Sequence, residues 1–218
     1  MNIVSMIDEY YENNYSPRNY LGLSQAGHDC PRWLWFKHNK YIEQPPKGRI
    51  LRLLKLGNVI EDIVKKDIIN VGFVLEREQE EITFTNNNIT LKGHIDGILY
   101  SKEDTSNLYL WECKSIKKEY YPKVKKNGYE NYNSQYKFQI HAYAFYLNLK
   151  KIYVTVYCKN DSEIHEEIIY TDFDWIKEEL LKVFDIIDDK DLPKEGICPR
   201  KDFYRSKMCG YQHICWRN

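Results

Sequence analysis

Gly93-His94-Ile95-Asp96-Gly97, followed fifteen residues beyond its last glycine by Glu112-Cys113-Lys114, is the stretch on which the fold turns. Ile89–Tyr100 reads as one strand running through Gly93 and Gly97, and Leu108–Ser115 as a second that is apolar before it turns charged. Joined as an antiparallel hairpin, the two bring Asp96 and Glu112 within reach of each other. Glu112 and Lys114 are two apart on one strand and project to the same face. Two hard carboxylates beside an ammonium suit Mg²⁺ or Mn²⁺, with the amine neutralising charge or orienting a water. The plain alternative is a surface hairpin with solvated ion pairs of little worth. Context weighs against it. Glu112 ends the apolar run Leu108-Tyr109-Leu110-Trp111, and glycines flanking His94–Asp96 predict close approach of a ligand or backbone.

Helices are predicted upstream over Met1–Glu12, Ser24–His38 and Lys47–Asn70. The last carries Ile50, Leu53, Leu54, Val59, Ile60, Ile63 and Val64 near a 3.6-residue period. Gly57 interrupts it at a cost of about 1 kcal/mol. It lies one turn before Glu61, which predicts that the helix approaches the sheet there and delivers the Glu61 carboxylate; the alternative for Glu61 is an exposed acid paired with Lys65. A strand over Glu80–Phe84 precedes the hairpin. After it come a lysine-rich stretch, Ser115–Gly128, a helix over Asn133–Leu149, strands over Ile152–Cys158 and Glu163–Tyr170, and a helix over Asp172–Ile187. The tail from Asp188 to Asn218 is irregular and holds three of the six cysteines. This order predicts a single α/β domain, a mixed sheet with helices on its faces.

With 32 Lys+Arg against 32 Asp+Glu in 218 residues, the chain is not a bulk electrostatic binder of nucleic acid. A hydrophobic fraction of 43% excludes a disordered chain. No apolar run approaches the ~20 residues of a membrane span. The acidic N-terminus does not read as a signal peptide, so a cytoplasmic, reducing location is expected. There, cysteines serve as metal ligands, reactive thiols or core residues rather than disulfides. Cys113 and Cys158 read as small buried hydrophobes on strands. Lysines 114, 117, 118, 123, 125 and 126, interleaved with Tyr120 and Tyr121 and followed by Tyr129 and Tyr132, read as a mobile loop tracking single-stranded DNA, or as a solvated loop. Arg49 and Arg52 are further phosphate candidates.

Taken together, these segments resemble the RecB-like branch of the PD-(D/E)xK nucleases, in particular phage exonucleases and CRISPR adaptation nucleases. Tyr20-Leu21-Gly22-Leu23-Ser24 with Gly27-His28-Asp29-Cys30-Pro31-Arg32 and Leu34-Trp35 is similar to the family's amino-terminal cysteine segment. Leu56-Gly57-Asn58-Val59-Ile60-Glu61 is similar to its helical G-x-x-x-E/H motif. The two central motifs match Gly93–Gly97 and Glu112–Lys114, and Gln139-Ile140-His141-Ala142-Tyr143 resembles its Q-x-x-x-Y helix. The resemblance implies a restriction-endonuclease-like core over residues 46–187, between a helical part, 1–45, and a cysteine-bearing tail, 188–218, packed on that part. It implies that Glu61, Asp96 and Glu112 ligate Mg²⁺ or Mn²⁺, with the Cys113 carbonyl completing the shell. Lys114 is then the catalytic lysine, and Gln139 and Tyr143 position DNA or the lysine.

The resemblance also implies a 4Fe-4S cluster joining Cys30 to three cysteines at the carboxyl end. The family pattern there is C-x-x-C-x5-C, and this chain has Ser206 at the first position, ahead of Cys209 and Cys215. Cys198, eight residues upstream, is the candidate replacement. A zinc site with or without His213, a labile three-cysteine cluster and no metal are the other readings. The expected activity is a DNA exonuclease acting on single strands or ends, in recombination, repair or CRISPR adaptation with a protein partner. The rivals are a non-catalytic DNA-binding or assembly subunit, a redox or sensory Fe–S protein, and a zinc-stabilised interaction module.

Overall fold

Asn133 and Asp172 each turn a side-chain oxygen back on the chain, accepting from the N–H of Gln135 (2.8 Å) and of Trp175 (3.0 Å). These N-caps satisfy backbone donors that a helix start leaves open, and so begin one helix that lies on the sheet and a second that packs on the first. The computed structural model describes residues 2–217. In chain order α1 (Ile3–Asn13), α2 (Leu23–Ala26), α3 (Pro31–His38) and α4 (Gly48–Asn70) precede the strands β1 (Phe73–Glu76), β2 (Glu81–Asn86), β3 (Ile89–His94), β4 (Gly97–Ser101) and β5 (Asp104–Ile116). Then α5 (Tyr121–Asn127), α6 (Tyr129–Tyr132) and α7 (Ser134–Tyr146) lead to β6 (Lys151–Cys158), β7 (Ile164–Tyr170) and α8 (Phe173–Asp188). The short α9 (Tyr204–Lys207) and α10 (Gln212–Cys215) lie in the tail. The start of the first predicted helix, at Met1, lies outside the described residues.

The central sheet runs β1-β4-β5-β6-β7, with β5 and β6 parallel and the other pairs antiparallel. This is the mixed α/β architecture that the element order predicts. Strand alternation sorts the core into two layers. Leu110, Ile152, Val154 and Val156 pack under α7 with Ile140 and Ala144, while Trp111, Cys113, Leu75 and Leu99 pack against Ile60 and Val64 of α4. Among the described residues no helix is long and apolar enough to cross a membrane.

Three predicted elements differ, and one observed strand is not predicted. The strand expected over Ile89–Tyr100 is two strands in two sheets. β3 pairs only with β2, and at Ile95-Asp96 the chain crosses into the central sheet as β4. Ile95 is held in that gap by backbone bonds with Glu80 (3.1 Å) and Gln79 (2.9 Å). The helix expected over Ser24–His38 breaks at Gly27–Cys30, because Pro31 starts α3 and cannot donate backward. Gly27 itself lies against α7, where a Cβ would stand 2.4 Å from Phe138 Cβ. The lysine-rich stretch is not a loop throughout: its second half is α5. The edge strand β1 is too short and mixed to announce itself in sequence.

Candidate active site

The β4–β5 register pairs Gly97 with Trp111, which places Asp96 one step beyond the ladder, beside Glu112. There its carboxylate accepts the Cys113 backbone N–H at 2.8 Å. Asp96 therefore sits not on a strand but in the gap between sheets, where Glu112 and Glu61 can both approach it. Glu112 has no exposed surface. Its Oε1 accepts from Lys114 Nζ and from Gln139 Nε2 (3.0 Å), whereas its Oε2 is buried without a hydrogen-bond partner. Lys114 also reaches the Cys113 carbonyl at 3.4 Å. Glu112 and Lys114 thus share the face that the two-residue spacing predicts.

Burial raises the Glu112 carboxyl far above the usual carboxylate range, and Asp96 adds repulsion. Glu61 is raised for the same two reasons, in the same order. Burial opposes the charge of Lys114, but Glu112 and Asp96 outweigh it and hold the ammonium above its ordinary range. The three acids and the lysine therefore form one electrostatic unit. Its acids are more numerous than its cation, and its donors are hard oxygens with one of them unpartnered, a set that suits a divalent cation. Among the described residues, however, no three His, Cys, Asp or Glu side chains converge into a ready-made metal group.

Glu61 comes from α4 and accepts from Gln79 Nε2 at 3.3 Å. It is not the partner of Lys65, which pairs with Glu78 (2.8 Å) and Asp62 (3.7 Å). Gly57 does not mark a close approach either: a Cβ there would meet only Ser115 Oγ, at an ordinary 3.6 Å. The tight glycine is Gly93, where a Cβ would lie 2.4 Å from the Tyr143 hydroxyl. Gly97 is tight against β1, with Leu75 Cδ1 at 2.8 Å. The flanking glycines thus admit protein rather than ligand. Gln139 and Tyr143 are both buried on the inner face of α7. Gln139 fixes Glu112; the Tyr143 hydroxyl lies against the Gly93 backbone. Burial pushes the Cys113 thiol up to about 12, so it stays neutral on the α4 side while its carbonyl faces the lysine. Gln79 is a contact that sequence reasoning missed; it sits in a turn with φ 56°, and no spacing rule points to it.

The lysine track is partly spoken for. Lys118 pairs with Asp161 (3.1 Å) and Lys125 with Glu163 (3.9 Å) across the β6–β7 turn, and Tyr121 and Tyr129 are buried. Tyr120 stays partly exposed under Lys123. Arg52 pairs with Asp8 of α1.

The four candidate cluster cysteines border a common cavity, though no three of them converge into a ready-made metal group. Cys30, Cys198, Cys209 and Cys215 line one cavity of about 40 Å³, between α3 and the tail. All four are free thiols. Burial raises the Cys198, Cys209 and Cys215 thiols, and nearby Cys30 adds to the shift in each. Ser206 is buried beside them, its hydroxyl accepting from Trp216 Nε1 at 2.9 Å. His213 does not line this cavity. Arg205 clamps Asp29 with two bonds (2.8 and 2.7 Å), and Gln44 N–H donates to the Gly210 carbonyl (3.1 Å), so the tail is tied to the N-terminal segment.

No family model matches the chain, and no curated protein does. Its fold is similar to that in the crystal structure of SSO0001, with a TM-score of 0.54 at 14% identity over 99% of this chain and 96% of that one, a likeness that shows the shared fold alone.

Proposed function

We propose that this chain is a divalent-metal-dependent deoxyribonuclease on a restriction-endonuclease-like core, acting on DNA ends. One observation carries the reading: the fully buried Glu112 carboxylate, with one oxygen unpartnered, stands beside Asp96, Glu61 and Lys114. A structural ion pair has no use for surplus buried acids, since each uncompensated charge costs several kcal/mol. Glu61, Asp96, Glu112 and the Cys113 carbonyl would hold Mg²⁺ or Mn²⁺. Once bound, the ion supplies positive charge that polarises a phosphodiester and acidifies the attacking water.

The protein's own groups do the rest. Lys114, a quarter exposed, presents its ammonium at the edge of the acids and stabilises negative charge developing on the phosphate oxygens. Gln139 holds Glu112 in one orientation. Asp96 is locked by the Cys113 N–H, so its second oxygen keeps a defined direction. The lysines of α5 left without acids, with Tyr120, extend a basic path for the strand. In the same reading Cys30, Cys198, Cys209 and Cys215 hold a structural 4Fe-4S cluster, with zinc as the alternative, since four thiolates suit either. Visible absorbance against stoichiometric zinc separates the two.

The test uses end-labelled single- and double-stranded DNA with Mg²⁺, Mn²⁺ or EDTA. Wild type cleaves only with metal, and Lys114→Ala loses about 10²–10³-fold in rate with an unchanged circular dichroism spectrum. Full activity in that variant overturns the reading.

A further inference from the structure

Gly128, at φ +83°, ends α5 and turns the chain into α6. Glu167 of β7 closes this turn: its Oε2 accepts the Tyr129 N–H at 2.8 Å, and its Oε1 would lie 3.0 Å from any Cβ at position 128. Glu167 is in register with Val154, and Val154 with Glu112. The three residues form one row across the sheet and project from the same face. Two strand spacings, about 9.5 Å, separate the ends of that row. Tyr129 is therefore anchored at one end of a row whose other end is the acidic site.

Tyr129 is 1% exposed, and its ring stacks on Tyr136 with centroids 5.4 Å apart and planes 8° from parallel. Lys114 and Glu112 are the charged groups that most influence its hydroxyl. That hydroxyl is buried without a hydrogen-bond partner. Buried hydroxyls almost always have partners, so two unpartnered buried oxygens, the Tyr129 hydroxyl and Glu112 Oε2, point to a group that arrives from outside. The α6 segment is further fixed by Glu130, whose Oε2 lies 3.1 Å from His141 Nε2 of α7. The donor is thus held in place in advance.

We propose that Tyr129 is a substrate-contacting residue of this site, its hydroxyl donating a hydrogen bond to a non-bridging oxygen of the phosphate that Lys114 receives. This rests on the nuclease reading above. A phenol supplies a neutral donor that adds no charge among the acids, and from a fixed direction it favours one of the two non-bridging oxygens over the other.

The decisive variant is Tyr129→Phe, which keeps the ring, its stacking and its burial and removes only the O–H. It is compared with wild type on DNA carrying a single phosphorothioate of defined configuration at the scissile position. Wild type discriminates between the two diastereomers; the variant loses about 3- to 30-fold in rate on unmodified DNA, and its discrimination shrinks. In EDTA, where nothing is cut, anisotropy shows the variant binding the same DNA more weakly, and its melting temperature is no lower than that of wild type. An unchanged rate with unchanged diastereomer preference overturns the role of Tyr129 while leaving the nuclease reading intact. A lowered melting temperature with unchanged preference assigns Tyr129 to structure and also overturns it. A wild type that cuts no DNA with either metal overturns both.

Discussion

The acidic site and the cysteine pocket lie in one domain and are built in opposite ways. Each residue of the acidic site is held by regular structure. Glu112 and Lys114 ride on a strand interior, Glu61 and Gln139 on helices, and Asp96 is bound to a strand N–H. The cysteines instead lie at a helix cap (Cys30), in irregular segments (Cys198, Cys209) and at the end of the four-residue α10 (Cys215), in a tail whose connection to the rest is a handful of bonds. Hydrogen-bonded ladders hold the first arrangement whether or not it is filled. The second closes a loop of nearly the whole chain, and that closure gains most from a crosslinking group.

The largest expected effect sharpens this contrast. Cys209→Ala removes one thiol and, if the pocket holds the proposed cluster, one of its four ligands. It lowers stability by about 3 kcal/mol or more, about 6–12 °C in melting temperature for a domain of this size. Limited proteolysis then cuts first within residues 188–217, while the segment from β1 to α8 survives. Uniform cleavage along the chain would show that the two regions unfold as one unit.

A smaller effect comes from the acidic side. Gly93→Ala drives a methyl group into Tyr143, whose hydroxyl and ring carbon would stand 2.4 and 2.7 Å away. Overpacking of this kind costs about 1–3 kcal/mol. The displaced α7 carries Gln139 with it, so DNA cleavage falls as well. A melting temperature equal to that of wild type would mean that Tyr143 yields freely and that the site is less rigid than its ladders imply.

The smallest change has the opposite sign. Gly57→Ala adds a methyl group with room around it, removes a flexible position from α4, and raises stability by about 0.5–1 kcal/mol. DNA cleavage stays at the wild-type rate, because Glu61 is oriented by Gln79 and not by close packing at Gly57. Lost activity in this variant would restore the close-approach role that the motif suggests.

The two glycines show where the chain was legible and where it was not. A glycine four residues before an acid looks the same in sequence whether its missing Cβ matters or not; only the neighbours across the fold decide. Gly93 was flagged for a close approach, yet what comes close is a tyrosine fifty residues away in sequence. The strand break at Ile95-Asp96 was equally hidden. Gly93 and Gly97 permit a continuous strand, and the change of sheet depends on backbone bonds to Gln79 and Glu80. The span of α5 was hidden because a lysine-rich run reads as a solvated loop, whereas Tyr121 and Val124 are buried against the fold and Lys125 pairs with Glu163 of the distant β6–β7 turn.

What the sequence by itself determined is local: the helical span of α4, though of its predicted apolar face only Ile60 and Val64 are buried while Ile50, Leu54, Val59 and Ile63 are exposed, the strands β5 and β6, the shared face of Glu112 and Lys114, and the hairpin that brings Asp96 to them. These follow from the 3.6- and 2-residue repeats of the backbone, which any short window contains. Only the tertiary structure decided which glycine is tight, which lysines remain free, that four cysteines share one cavity, and that Tyr129 stands with an unpartnered hydroxyl over the Glu112 row. Those depend on which atoms from remote segments end up in contact, and contact distance is a property of the packed chain that no spacing along it encodes.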